Sequence, residues 1–354
     1  MEKQLSLRYH KIHYFAPLQY HHSFIGSAIR GAFGWNLKNI VCINPSKNCE
    51  RCFAADDCLY YDFFERKNPK YRLQFPLGGR VEFDLFIFEE YTTKLPYIVA
   101  ALLGIGEEGI GRPRLRSDQF EIWINGKLFH SPNREERLDP TPAIFTPPTE
   151  VPEVIRVKFV TPLRVKENNR LVREGLKLET LLRGISHRYY RLKGFPIQKL
   201  GWTPTYTSYR EVGDGLKFVD FGRWSNRQRT KMKLGGLIGE VEIGGLDLNS
   251  YQLLKLGEII GAGKQVTFGL GAIRVTEVER EKDEQGGKTE KGEENGDHQP
   301  LLEENLEKGR GDFEELGGEI GRKSRGEMEG EKSGGKGENK GEPEIWRDGE
   351  GKRG

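Results

Sequence analysis

The chain has 354 residues, enough for two or three domains of ordinary size, with 56 Lys plus Arg against 53 Asp plus Glu. Fifteen of the basic and 24 of the acidic residues follow residue 276, so the first 276 residues carry 41 basic and 29 acidic groups, an excess that favours polyanionic partners. No stretch reaches the roughly 18 apolar residues of a membrane span, and "MEKQLSLRYHKIHYF" lacks the apolar core of a signal peptide, so the cytoplasm is the expected location.

Residues 7–15 alternate polar and apolar like a strand. In 21–40, Ile25, Ile29, Phe33, Leu37 and Ile40 recur at three and four residues, which predicts one buried helix face, with Ser23 as its N-cap. After a cysteine-rich insertion, residues 80–90 read as a strand, "LPYIVAALLGIG" as a helix and 120–129 as a strand, with room for one more strand near 71–77 or 112–116. The proline-rich 140–152 reads as a linker. The order then repeats: strand 154–165, helix 176–192, strands 216–224 and 235–245, helix 248–261 and a closing strand 265–275. The fold expected is α+β: two tandem ferredoxin-like βαββαβ domains, 1–139 with an insertion at 42–65, and 153–276. Residues 277–354, rich in Gly, Glu and Lys, cannot bury enough surface to offset their ordering entropy and are expected to be a disordered charged tail.

All four cysteines fall within 17 residues as C-x6-C-x2-C-x5-C: Cys42, Cys49, Cys52 and Cys58. In a reducing compartment this reads as a tetrathiolate metal site rather than disulfides, and either a zinc ion or an iron–sulfur cluster suits four thiolates. Four protein ligands leave no open position, so the metal is expected to be structural. "GIGEEG" (104–109) follows a helix and precedes a proline, which is the wrong setting for a dinucleotide loop. "GAGKQVTFGLGA" (261–272) is no P-loop either, since Glu258 stands where a glycine is needed and Gln265 follows Lys264. Gly263, Lys264, Gly269 and Gly271 form either a cradle for a nucleic-acid backbone or a close strand crossing. "RWSNRQRTKMKLGG" gathers Arg223, Asn226, Arg227, Arg229, Lys231 and Lys233, as an RNA-contacting segment or a solvated hairpin tip. On the helix 176–192, Arg183, His187 and Arg191 share one face. His21 and His22 precede the first predicted helix, where an imidazole is well placed as a general base, though a histidine is as readily structural.

Taken together, "FIGSAIRGAFG" (24–34), the four cysteines leading to "CLYYDFFE" (58–65), "RWSNRQRTKMKLGGLIGEV" (223–241) and "GKQVTFGLG" (263–271) resemble the CRISPR-associated precursor-RNA processing endoribonucleases, a branch of the RAMP superfamily. The resemblance spans nearly all of 1–276. It implies two RAMP/RRM-like ferredoxin domains and cleavage of CRISPR repeat RNA without a catalytic cofactor, leaving a 2′,3′-cyclic phosphate. It implies a base near the first helix, matched by region to His22 or His21 with Tyr20, and RNA contacts that include Arg30. The family's closing segment often has a histidine before the Gly-Lys pair; here "IIGAGK" has none. A non-catalytic RNA-binding subunit of a CRISPR effector complex is the alternative. Partnership with other effector proteins and homodimerisation both stay open.

Overall fold

The computed structural model describes residues 5–22, 24–111, 113–225 and 230–278, apart from the side chains of 223–225 and 231. Strand β1 (Leu7–Gln19) leads through α1 (Gly26–Val41), the short α2 (Leu59–Phe64), β2 (Tyr71–Gln74), β3 (Arg80–Phe88) and α3 (Leu95–Glu108) to β4 (Glu121–Ile124). The sheet runs β2-β3-β1-β4 and all its pairings are antiparallel. That is the strand order of a ferredoxin-like βαββαβ unit. Its core packs the apolar faces of α1 and α3 on the sheet, with Ile29, Phe33, Leu37, Ile98, Leu102 and Leu85 fully buried. Each such side chain contributes about 1.5–3 kcal/mol relative to exposure.

Strands β5 (Lys127–Ser131), β6 (Arg134–Glu135) and β7 (Ala143–Phe145) extend this sheet. The second unit begins with β8 (Val154–Leu163), carries a small hairpin of β9 (Lys166–Glu167) and β10 (Arg170–Leu171), and continues with α4 (Leu178–Lys193), β11 (Ser208–Ser225), β12 (Thr230–Gly244), α5 (Leu248–Ile260) and β13 (Ile273–Glu277). Its sheet order, β11-β12-β8-β13, repeats that of the first unit. Both lobes belong to one compact unit, Met1–Asp283, while Glu284–Gly354 and so nearly all of the expected tail lie outside the described residues.

Several expected elements differ from those observed. The single strand expected over 120–129 is a hairpin, because Asn125 and Gly126 both take positive φ (49° and 82°), as a two-residue turn demands. The expected linker contains β7, whose Phe145 pairs with Leu7 and is buried. Helix α1 starts at Gly26 with Ile25 as N-cap and no side-chain cap, because Phe24 and Ile25 are drawn into the core; Ser23 lies outside the described residues. The closing strand starts at Ile273, since 266–268 form a 3-10 turn between Gln265 and Gly269, both left-handed.

Two buried arginines lock the lobes together. Arg72 on β2 donates from Nη1 to the Glu258 carbonyl at 3.1 Å, and Arg188 on α4 donates to the carbonyls of Ile260 (2.5 Å) and Tyr71 (3.2 Å). Both guanidiniums therefore sit at the C-terminal end of α5, where orphan carbonyls and the helix dipole favour cations. Burial lowers their pKa values, to about 10 for Arg72 and about 9 for Arg188, so both stay charged at neutral pH.

Candidate nucleic-acid interface and active site

The segment joining β1 to α1 carries the three candidate catalytic residues, and it is held from beneath. The Tyr20 amide donates to the Gly79 carbonyl at 2.7 Å, and Gly79 (φ 86°) lies so close under the Tyr20 and His22 carbonyls that a Cβ would reach 2.5 and 2.9 Å from them. Tyr20 is buried, its ring lying against Gly111, where a Cβ would meet it at 2.3 Å. His21 and His22 are exposed, with ring centroids 4.1 Å apart and 4.3 and 5.8 Å from that of Tyr20. The structure thus gathers Tyr20, His21 and His22 into one cluster, open to solvent on the histidine side. The histidines stand four and five residues before Gly26, so they do not cap α1.

Phe24 ties this cluster to the second lobe. Its ring stacks on Phe221 of β11 at 5.2 Å and meets Phe75 edge-on at 5.3 Å. The long β11–β12 hairpin therefore projects from the second sheet onto the first lobe, and Leu234 of β12 joins the first lobe's core. The basic segment expected between two strands largely prolongs them: Arg223 pairs with Met232, Trp224 with Lys231 and Gly222 with Lys233. Lys233 is exposed, 3.6 Å from Asp220. Asn226, Arg227 and Arg229 lie outside the described residues.

The glycine-rich loop sits at the start of α1. A Cβ on Gly26 would meet the Phe268 carbonyl at 2.1 Å, and one on Gly269 would meet the Phe75 ring at 1.9 Å. Gly271 (φ 72°) allows no Cβ either, for the Ala262 carbonyl would lie 1.8 Å away; a Cβ on Gly263 would be 2.5 Å from the Arg164 carbonyl. The amides of Lys264, Gly269 and Gly271 donate to the carbonyls of Arg164, Val266 and Pro162 at 2.8, 3.1 and 3.0 Å. These glycines let two backbones cross closely, and the amides of Gly269, Gly271 and Lys264 are spent inside the fold. Lys264 itself is exposed and presents its ammonium to solvent. Arg30 on α1 is sandwiched between Phe64 and Phe268 at 4.6 and 4.7 Å. It stands beside the buried Tyr71 hydroxyl, whose pKa burial raises while the Arg30 charge pulls the other way. Arg30 thus links α2, α1 and the glycine loop through its flat faces.

Sequence reasoning missed Arg72, Arg188 and the Phe24–Phe75–Phe221 contact, because isolated residues carry no spacing signal for cross-lobe packing. It also missed a cleft of about 430 Å³ between the lobes, lined by Tyr9, Lys11, Asp84, Phe86, Glu258 and Arg274 among others. There Asp84 accepts from His13 Nδ1 at 2.9 Å and pairs with Lys11 at 3.1 Å. Burial alone would raise the Asp84 carboxyl, but His13 and Lys11 hold it below the usual carboxylate range. On α4, burial and the charges of Arg191 and Arg183 lower the His187 pKa. The four cysteines lie half-buried between α1 and α2; among the described residues no three Cys, His, Asp or Glu side chains are placed to grip an ion. No helix among the described residues is long and apolar enough to cross a membrane.

Two antiparallel βαββαβ sheets in tandem define the class: a double ferredoxin-like α+β protein. Residues 157–273 match the family model of the CRISPR-associated endoribonuclease Cas6, and residues 16–142 match a model described as an N-terminal domain. An uncharacterised protein of Archaeoglobus fulgidus is 27% identical over 286 residues, covering 73% of this chain and 93% of its own length. Among solved structures, a Cas6 product complex aligns with 76% of this chain and all of its own at 13% identity and a TM-score of 0.46. Thermus thermophilus Cas6 aligns with 77% of this chain and 99% of its own at 13% identity and a TM-score of 0.44.

Proposed function

We propose that this protein is an endoribonuclease that cleaves CRISPR precursor RNA within its repeats to release guide RNAs. The observation that carries the reading is the exposed His21–His22 pair beside Tyr20, joined through Phe24 to a basic hairpin, in a chain with a Cas6 domain. In the proposed reaction His22 takes the proton of a ribose 2′-hydroxyl, and the resulting oxygen attacks the adjacent phosphorus. The new P–O2′ bond forms as the P–O5′ bond breaks, leaving a 2′,3′-cyclic phosphate. The 5′-oxygen leaves with a proton supplied by a second group, for which His21 is the nearest candidate to His22. Cations near the phosphorane, Lys264 and Lys233 among the exposed ones, stabilise its charge, and the same basic surface holds the RNA backbone. No metal takes part in these steps. A repeat RNA with a single 2′-deoxynucleotide at the scissile position tests the mechanism: it should bind as the all-ribose strand does and remain uncut. Cleavage of the deoxy strand at that position would eliminate attack by the 2′-hydroxyl.

A further inference from the structure

The cysteine insertion has no part in the reaction above. Helix α1 ends on Cys42 as its C-cap and α2 begins on Cys58 as its N-cap. Between them Cys49 and Cys52 flank a turn in which Arg51 takes a φ of 52°, unfavourable for a side-chain-bearing residue. Cys42 and Cys52 share a neighbour in Asn44. Cys42 Sγ lies 3.7 Å from the Asn44 carbonyl, and Asn44 Nδ2 donates to Cys52 Sγ at 3.6 Å. The Lys38 ammonium stands within hydrogen-bonding reach of Cys49. In this arrangement the four side chains are not at ligand distance from a common point. Apolar burial cannot supply the restraint: no residue from 41 to 58 is buried, and Ile43 and Phe53 are 71% and 75% exposed.

We propose that Cys42, Cys49, Cys52 and Cys58 bind one thiophilic metal centre that fastens the end of α1 to the start of α2. Four thiolates satisfy a tetrahedral zinc ion or an iron–sulfur cluster, and the Lys38 ammonium and Asn44 amide are in place to donate to the sulfurs. With no protein ligand left to exchange, the centre is structural and its binding free energy becomes folding free energy. Its reach extends beyond the insertion. Helix α2 presents Phe64 to the Arg30 guanidinium and stacks Tyr60 on Phe64 at 5.0 Å, so the metal holds one wall of the Arg30 sandwich. The metal centre does not depend on whether the chain cleaves RNA.

The test is elemental analysis and visible absorption of the full chain purified without chelator under anaerobic conditions. About one zinc per chain with no colour, or iron with labile sulfide and a broad visible absorption, would each establish the tetrathiolate centre and say which form it takes. The Cys49→Ser variant should lose most of the metal and melt at a lower temperature. If that variant fails to fold, Co2+ titration of the metal-stripped wild-type chain decides, since four-thiolate Co2+ has intense sulfur-to-metal and ligand-field bands. A wild-type chain that carries no metal and binds neither Co2+ nor Zn2+ nor a reconstituted cluster under reducing conditions overturns the proposal.

Discussion

His22 and His21 are exposed side by side while the ring they lean on is buried, an arrangement that keeps two imidazoles near one another without spending them on the core. Replacing His22 by Ala is expected to slow single-turnover RNA cleavage by about 10²- to 10⁴-fold while leaving RNA affinity nearly unchanged, the split that separates a base from a binding contact. Burial lowers the pKa of His10, which lies on β1 with no exposed surface. The folded protein therefore keeps His10 neutral where the unfolded chain, with an ordinary value of about 6.5, takes up a proton. Stability should thus fall as pH drops from that value toward the depressed folded one. A melting series between neutral and mildly acidic pH should show the fall, and His10→Asn should flatten it. The N-terminal histidines were legible as candidates from their position. The buried state of His10 was not, because nothing in an alternating strand says which alternate face is covered.

At the scale of elements, the glycine-rich loop makes close backbone crossings that a side chain would block. Gly271→Ala would place a Cβ against the Ala262 carbonyl at a positive φ. It should cost at least about 1–3 kcal/mol in denaturant unfolding, whereas Gly31→Ala, inside α1 with open space for its Cβ, is the control that should not destabilise and should gain a few tenths to about 1 kcal/mol. Arg72→Ala should be at least as damaging, about 2–4 kcal/mol, because it removes a large buried side chain and the Nη1 donor to the Glu258 carbonyl near the end of α5. The βαββαβ order was readable in both halves from periodicity and turn residues. The Asn125-Gly126 hairpin was readable too, since that dipeptide signals a tight turn, but the apolar run through it reads as one strand. The pairing of β7 with β1 was not readable: "AIF" between prolines is too short for a period, and only the Leu7–Phe145 contact reveals it.

For the whole molecule, the two lobes act as one body because side chains from each are buried in the other. Phe86, Phe88 and Leu7 of the first sheet lie in the second lobe's core, while Leu234 and Leu270 lie in the first's. The histidine cluster, Arg30, the base of the basic hairpin and the glycine loop therefore keep a fixed relation, as positioning a single phosphate requires. A positively charged body of this kind should bind RNA with an affinity that falls steeply as salt rises. Endonucleolytic processing is tested most directly by incubating the purified chain with end-labelled CRISPR repeat RNA in EDTA. One cut within the repeat, leaving a 2′,3′-cyclic phosphate and a 5′-hydroxyl, is the result expected. RNA that is bound but stays intact at every protein excess, with a repeat from the chain's own genome, would contradict it.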